Sequence, residues 1–498
     1  LSRKEGVRDC PKMASEAPSE APNAVPSEAP NADPNADSNA HLILPLNDGQ
    51  RAAYEAIDQG KSIFLTGSGG TGKSFLLNVL YNEFYKKPGR RIALTALTGC
   101  AALLLHPKAK TIHSWAGIGL GTEPVDILVA NVKKSNKART RWIGADILVI
   151  DEVSMMTPEL FEKLDYVGRK IRRSESTPFG GLQIVLVGDF YQLPPVSKGS
   201  ETTSFVFESP LWKVIGLETY ELTEIVRQKD SDFQTILNEA RKGELTKKSL
   251  KTLAKRMGLD YKTEKILPTM LFTRRAQVDT INMTHLKKLT TERRCFKATT
   301  VFDPTQNTSK LTEKDPLVRA AIEKLDANAS YTPELILAIG AQVILLTNLN
   351  HSAQLINGSR GVVIGFEVPS SLAEDPKDLK DQKDPNLLVP VVEFRNGRRV
   401  PITAITWEVP DMPTVKRQQI PLKLAYAITI HKCQGATLDC ALIDVGKKTF
   451  EYGQAYVALS RVKDMESLYI HDLDPEAFRA HPKVKEFYTN CAPTAART

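Results

Sequence analysis

Apolar residues along this chain fall into short continuous runs separated by longer stretches of mixed polarity. That is the pattern of strands buried on both faces rather than of half-exposed hairpins. After Leu42-Ile43-Leu44, Asn47 and Asp48 offer caps to a helix carrying Gln50, Tyr54 and Ile57. Strand-like runs at 63–66, 92–96, 147–150 and 184–187 then alternate with helical stretches. A second series begins at Met270-Leu271-Phe272 and resumes at 343–346, 424–430, 441–445 and 468–470. Strands alternating with helices in two series predict an α/β protein of two lobes, each built on a parallel sheet.

Two segments break the series. Residues 114–141 are too long for an ordinary connection and end in Lys133, Lys134, Lys137, Arg139 and Arg141, a basic insertion or a solvated surface loop. In 349–419, short β-like runs at 361–366, 387–394 and 399–403 are separated by Pro, Gly and charged turns, which predicts a small β-barrel inserted in the second lobe. The alternating charges around 372–385 suit a loop of that barrel. Apart from Val25, residues 14–40 are Pro, Ala, Ser, Glu, Asn and Asp, with PSEAPNA at 18–24 repeated at 26–32, and hold nothing that could form a core. The expected organisation is a disordered tether over 1–41, a first lobe over 42–225, a second lobe over 226–348 and 420–485, the barrel over 349–419, and a C-terminal tail over 486–498.

Composition narrows this only modestly. A chain of 498 residues exceeds the roughly 250–300 at which single cores stop growing. The excess of 66 Lys and Arg over 58 Asp and Glu, +8 at pH 7, leans towards polyanionic partners. Six cysteines at 10, 100, 295, 433, 440 and 491 form no CxxC pair and no zinc spacing, so reduced thiols in an intracellular protein are expected. No stretch reaches the roughly 20 apolar residues that cross a bilayer, and a soluble protein is expected. The first methionine is Met13, so the dozen residues before it read as a cloning or gene-model extension, without a secretory leader.

The chemistry is concentrated at strand ends. The run 62–66 feeds Gly67-Ser68-Gly69-Gly70-Thr71-Gly72-Lys73-Ser74, which opens the periodic stretch Phe75-Leu76-Leu77-Asn78-Val79-Leu80. This is a phosphate-binding loop: glycines let backbone N–H groups approach phosphate oxygens, Lys73 reaches the β- and γ-phosphates, and Ser74 a magnesium ion. The run 147–150 delivers Asp151 and Glu152, suited to hold magnesium through water and to orient and deprotonate the attacking water. A strand-end acidic pair alone fits a helix cap or a surface ion pair; the phosphate loop upstream gives it meaning. The run 184–187 ends in Gly188-Asp189-Phe190-Tyr191-Gln192-Leu193-Pro194-Pro195, where the Gln192 amide can sense a γ-phosphate. Arg227 and Arg461 qualify as arginine fingers, although surface ion pairing is the commoner fate of arginine.

Further motifs then carry a resemblance. Glu152-Val153-Ser154-Met155-Met156, the stretch from Pro158 to Tyr166, Arg169-Lys170-Ile171-Arg172 and Pro178-Phe179-Gly180-Gly181 resemble the signature region of the Pif family of DNA helicases, in the RecD-like branch of superfamily 1. Leu46-Asn47-Asp48-Gly49-Gln50 resembles its adenine-reading motif, and Thr95 to Ala102 with Thr111-Ile112-His113-Ser114 its first strand-binding motifs. Ala425 to Gly435 and Gln454 to Arg461 resemble its fifth and sixth motifs. The resemblance implies two RecA-like lobes with ATP and Mg2+ between them, Lys73, Ser74, Asp151, Glu152 and Gln192 from the first and Arg227 and Arg461 from the second. It adds Gln50, Gln434 and Gly435 to the nucleotide site. It offers Thr98, Thr111, His113, Ser114, Thr429 and His431 for strand contact, with satisfied core histidines as the plainer reading of the two imidazoles. By the same likeness 114–141 is a wedge and 349–419 an SH3-like barrel. The implied activity is ATP-driven 5′-to-3′ movement on single-stranded DNA and unwinding of forked or structured DNA in replication, repair, recombination and telomere maintenance. A monomer in the nucleus, with the mitochondrion as a second site and no membrane partner, completes the expectation. The rival reading is an ATP-dependent nucleic-acid clamp without processive unwinding. A phosphate kinase would need neither the second-lobe arginines nor the strand motifs.

Overall fold

The computed structural model describes residues 46–491 apart from 88, 196–202, 262–265, 304–310, 351, 352, 354, 356, 370–387 and 410–411. The expected tether, the charged loop around 372–385, Cys10 and the last seven residues lie outside these. In the first lobe a six-stranded sheet runs in the spatial order Lys110–Thr111, Ile92–Ala96, Ile147–Asp151, Gln183–Val187, Ile63–Gly67, Glu218–Leu222, with every pairing parallel. Alternate residues of the apolar runs go to opposite faces. Phe64, Leu148, Ile150, Ile184 and Leu186 join one core with Trp142, Phe161 and Phe179. Ile63, Leu65, Ile147, Val149, Val185 and Val187 join another with Ile57, Leu76, Leu80 and Phe84. Helices Asp48–Asp58 and Lys73–Lys86 supply the second core, and Pro158–Arg172 the first.

The stretch 114–141 is largely helical, Val125–Lys134 and Asn136–Gly144, and buries Leu128, Val129, Val132 and Trp142 against the lobe. Lys133, Lys134, Lys137 and Arg139 are exposed on it, while Arg141 donates to the carbonyls of Ser114 and Trp115 at 2.8 and 2.6 Å.

The second lobe has a four-stranded parallel sheet in the order Ala427–Thr429, Thr269–Phe272, Ala441–Val445, Leu468–Leu473. Two expectations fail here. The run 343–346 does not join this sheet: Gln342–Leu345 lies antiparallel between Arg360–Glu367 and Leu422–Leu424. The run 424–430 is not one strand, because its start belongs to that antiparallel sheet and only Ala427–Thr429 enters the parallel one. Both sheets bury both sides of their strands at these points, so the apolar pattern is the same in either.

Strands of the insertion begin at Arg293, well before 349, and pair as a five-stranded sheet, a three-stranded sheet holding Thr299–Phe302, Ile405–Val409 and Met412–Gln419, and the pair Arg293–Lys297 with Glu334–Ala338. The stretch 349–419, expected as the barrel, is part of this larger unit. Residues 486–490, expected in a tail, complete a helix, Pro482–Asn490, that starts with proline at its first turn and buries Val484 in the first lobe's core. Among the described residues no helix is long and apolar enough to cross a membrane, no group of three or more His, Cys, Asp or Glu is placed to hold a metal, and no cysteine is in a disulfide.

Candidate active site

The phosphate loop lies at the C-terminal edge of the first sheet, between strand Ile63–Gly67 and helix Lys73–Lys86. Three of its glycines have φ values that side chains avoid, +141° at Gly67, +95° at Gly70 and +84° at Gly72. A Cβ on Gly70 would lie 2.7 Å from that of Arg227, and one on Gly72 would collide with the Gln50 amide. Lys73 Nζ donates to the loop's own carbonyls, Gly67 at 2.7 Å and Ser68 at 2.9 Å. Burial pulls its ammonium below the ordinary lysine range, against the opposing pull of Asp189, Glu152 and Asp151. The Gly69 N–H donates to the Tyr456 hydroxyl at 2.8 Å. Gln50 is braced by a reciprocal capping box with Asn47, at 2.9 and 3.2 Å, and its own amide donates to Thr71 O at 3.4 Å.

Strand Ile147–Asp151 brings Asp151 to the same edge, and the chain then turns through a left-handed Glu152, φ 57° and ψ 40°. A non-glycine residue held there costs about 1–3 kcal/mol and marks a position fixed for its side chain. Glu152 Oε2 accepts from Gln434 Nε2 at 2.9 Å, across the cleft between the lobes. The Asp151 carboxyl is pushed up to about 7, by burial first and then by the charge of Glu152.

From the second lobe Arg227 donates to Ser460 O at 3.2 Å, and the backbone N–H groups of Val226 and Arg227 donate to Gly70 O at 2.9 and 3.1 Å. Burial, then Arg461, draws the Arg227 guanidinium down to about 10. Arg461 is almost wholly buried and donates to Val457 O at 2.8 Å, Ala436 O at 3.2 Å and Ser460 Oγ at 2.6 Å. Its Nη2 would be 3.5 Å from a Cβ on Gly69, which puts it against the loop. Lys73, Ser74, Asp151, Glu152, Gln192, Arg227, Gly435 and Arg461 line one cleft of about 310 Å³, within the usual size of a small-ligand site.

The strand-contact candidates are placed differently. Thr98, Thr111 and Thr429 each cap a short helix, accepting from Ala101 N at 3.1 Å, Ser114 N at 3.2 Å and Lys432 N at 3.4 Å. Each hydroxyl proton is left to donate elsewhere. Burial lowers the pKa of His113 and of His431, so both are neutral at pH 7. Thr429 meets the helix that Thr98 caps in a second, smaller cavity of about 80 Å³ lined also by Cys100, Leu104, Lys423 and Lys432. Thr111, His113, Ser114 and His431 do not line it.

Several residues of the cleft escape a reading by motif. The Tyr456 hydroxyl sits inside a buried apolar helix, and its target 387 residues upstream leaves no trace in spacing. Asp189, fully buried, pairs with Arg241 of helix Ser231–Lys242 at 3.0 Å. A carboxylate directly after a buried strand signals that some cation must meet it, without saying which.

Glycine loop, acidic strand tip and facing arginines on two parallel-sheet lobes define a two-lobed nucleotide-binding protein of the P-loop class. Residues 45–251 match the model of the PIF1-like helicase family, and 322–366 that of the DNA helicase Pif1 2B domain. The chain is 37% identical over 453 residues to the ATP-dependent DNA helicase PIF1 of Danio rerio, covering 90% of this chain and 65% of that one. It is 38% identical over 449 residues to the protein of that name from Homo sapiens, covering 89% and 63%. It thus spans a little under two thirds of these curated relatives. The crystal structure of Pif1 helicase from Candida albicans is similar at a TM-score of 0.73 and 35% identity, covering 90% of this chain and all of that one. The chain belongs to the PIF1-like helicase family.

Proposed function

We propose that this chain hydrolyses ATP to move 5′ to 3′ along single-stranded DNA and to separate duplex or structured DNA. One observation carries the reading. Lys73, Arg227 and Arg461 converge from two lobes on one cleft, and the hydrogen bonds they make among the described residues go to carbonyls and a hydroxyl, never to a carboxylate. Three cations gathered with no carboxylate hydrogen-bonded to them suit a polyphosphate.

In this reading the Gly69 amide exchanges the Tyr456 hydroxyl for a phosphate oxygen, and Lys73 leaves its loop carbonyls for the β- and γ-phosphates. Glu152, fixed by its backbone and by Gln434, takes the proton of the attacking water. Arg227 and Arg461 stabilise charge on the γ-oxygens only when the lobes are closed, so hydrolysis and opening are coupled. Ser74 and Asp151 fit Mg2+: both offer hard oxygens at the cleft, and the raised Asp151 carboxyl is a buried anion short of a cation. An ion held there would supply positive charge against the negative charge developing on the phosphates. The free hydroxyl protons of Thr98, Thr111 and Thr429, with neutral His113 and His431, suit phosphates of a strand.

Duplexes with matched 5′ and 3′ single-stranded tails test this directly. Strand displacement of the 5′-tailed substrate alone, lost in Lys73→Ala together with ATP turnover, is expected. Strand-stimulated turnover without displacement would make the chain a clamp instead. Genome maintenance in nucleus or mitochondrion is the setting this reading supplies; imaging of the tagged full-length protein tests it, and light scattering tests the expected monomer.

A further inference from the structure

The helix Pro482–Asn490 ends where the two lobes meet. Phe487 stacks on Phe207 with 4.3 Å between ring centroids and meets Phe190 edge-on at 5.3 Å. Tyr488 lies 4.9 Å from Tyr191 with the ring planes 9° apart. Its hydroxyl accepts from Phe190 N–H at 3.1 Å and shares a 2.7 Å hydrogen bond with Thr66 Oγ1. Thr66 immediately precedes the phosphate loop, and Phe190 stands two residues before Gln192. One hydroxyl therefore ties the strand that presents the phosphate loop to the turn that presents Gln192.

That turn has two more braces. Asp189 Oδ1 accepts from Tyr191 N–H at 3.2 Å, and Asp189 O accepts from Gln192 N–H at 2.9 Å. The Asp189 carboxylate is gripped by Arg241, Nε at 3.0 Å and Nη2 at 3.0 Å. Arg241 stands on a helix whose Phe233, Ile236 and Leu237 belong to the second lobe's core. Its guanidinium also lies over Tyr191 at 4.9 Å and Tyr488 at 5.5 Å. Against the other side of the turn packs Gly453, where a Cβ would run into the carbonyls of Tyr191 and Gln192; the helix it caps carries Tyr456 and leads to Arg461.

A phenylalanine at 488 would fill the same space among these rings. The hydroxyl is the costly part of the side chain to bury, and it is fully used. Burial raises the phenol above the ordinary tyrosine range, so it stays protonated through physiological pH.

We propose that Tyr488 is a positioning residue for ATP hydrolysis, holding the Gln192 turn in register with the phosphate loop and linking that turn, through Arg241, to the second lobe. The C-terminal helix is on this account a working part of the nucleotide machine. The inference rests on the ATPase reading above and adds to it an element that no nucleotide motif contains.

The test compares the wild-type chain with Tyr488→Phe, Thr66→Val and the double variant, measuring strand-stimulated ATP turnover across ATP concentrations together with the thermal unfolding midpoint. A turn displaced by about an ångström should lower kcat by about 10- to 100-fold. KM for ATP stays near wild type, the unfolding midpoint falls only by the few degrees that an unpaired buried polar group costs, leaving the chain folded at the assay temperature, and the double variant is no slower than Tyr488→Phe alone, because both substitutions remove one shared hydrogen bond. Wild-type kcat in Tyr488→Phe and Thr66→Val overturns the proposal, as does a loss confined to KM or one accounted for by the fraction of chain unfolded at the assay temperature. Absence of turnover in the wild-type chain strikes the ATPase reading instead, so the two failures are distinguishable.

Discussion

Arg461 shows how much one side chain at this cleft is asked to do. It is buried, it donates to Val457 O and Ala436 O rather than to any carboxylate, and it lies against the glycine loop of the opposite lobe. Those carbonyl bonds orient the guanidinium before any phosphate arrives. Arg461→Ala should therefore cut hydrolysis by about 10³- to 10⁵-fold while leaving nucleotide binding measurable, read by steady-state turnover and by titration with a fluorescent ADP. Asp151 makes a prediction of a different kind. Its carboxyl moves from an ordinary 3.8 to about 7, through burial first and then through Glu152. Between those values the folded chain keeps a proton that the unfolded chain has released, so stability of the nucleotide-free protein falls as pH rises through this window and levels off above about 7. Asp151→Asn removes the titrating group, and its unfolding midpoint should lose that part of the decline between pH 5 and pH 8. An unaltered pH profile would mean that another group carries it.

Elements were legible in the sequence to the extent that their own residues specify them. The runs at 63–66, 147–150 and 184–187 are buried on both faces, and each ends in the residues that face the cleft, so pattern and chemistry point to one arrangement. Gln342–Leu345 has the same apolar signature and went to the wrong sheet, because a strand buried on both sides carries no record of its neighbour's direction. The break inside 424–430 was hidden for the same reason. Helix Pro482–Asn490 was missed differently. It is short, and Tyr488 finds its hydroxyl partner 422 residues away, so nothing nearby in the sequence marks it as part of the site. Long-range ties of this kind also fix the helical stretch after Ser114. Trp142 is fully buried and donates to Ala116 O at 2.9 Å. Trp142→Phe should cost about 1–3 kcal/mol by leaving that carbonyl without its donor, and Trp142→Ala about 3–5 kcal/mol by opening a cavity. Urea midpoints at constant m would register both; equal losses for the two variants would show that the hydrogen bond, not the ring, holds the helix.

Across the whole molecule, the lobes are joined at the cleft by contacts that a nucleotide would have to rearrange. Gly69 N–H is held by Tyr456, Gly70 O accepts from Val226 and Arg227, and Glu152 is held by Gln434. Each pair links the first lobe to the second. On the proposed reading a nucleotide with a γ-phosphate changes the relation of the lobes, and a strand bridging them, by way of the Thr98 and Thr429 caps, is bound differently in each relation. Thermodynamic linkage makes this quantitative. If a non-hydrolysable ATP analogue changes the affinity for single-stranded DNA by some factor, the strand must change the affinity for the analogue by the same factor. Coupling of this sort commonly amounts to about 5- to 150-fold. If Arg461 senses the γ-phosphate from the far lobe, as proposed, Arg461→Ala should bring the factor close to one while each ligand still binds alone. The remaining strand affinity should still fall with salt, at a log–log slope of about −0.7 per phosphate neutralised. Fluorescence titrations of strand against analogue, run in both orders on wild type and variant, measure all of these quantities. A factor that survives in Arg461→Ala would mean that the γ-phosphate is felt across the cleft by Arg227 or Gln192 instead.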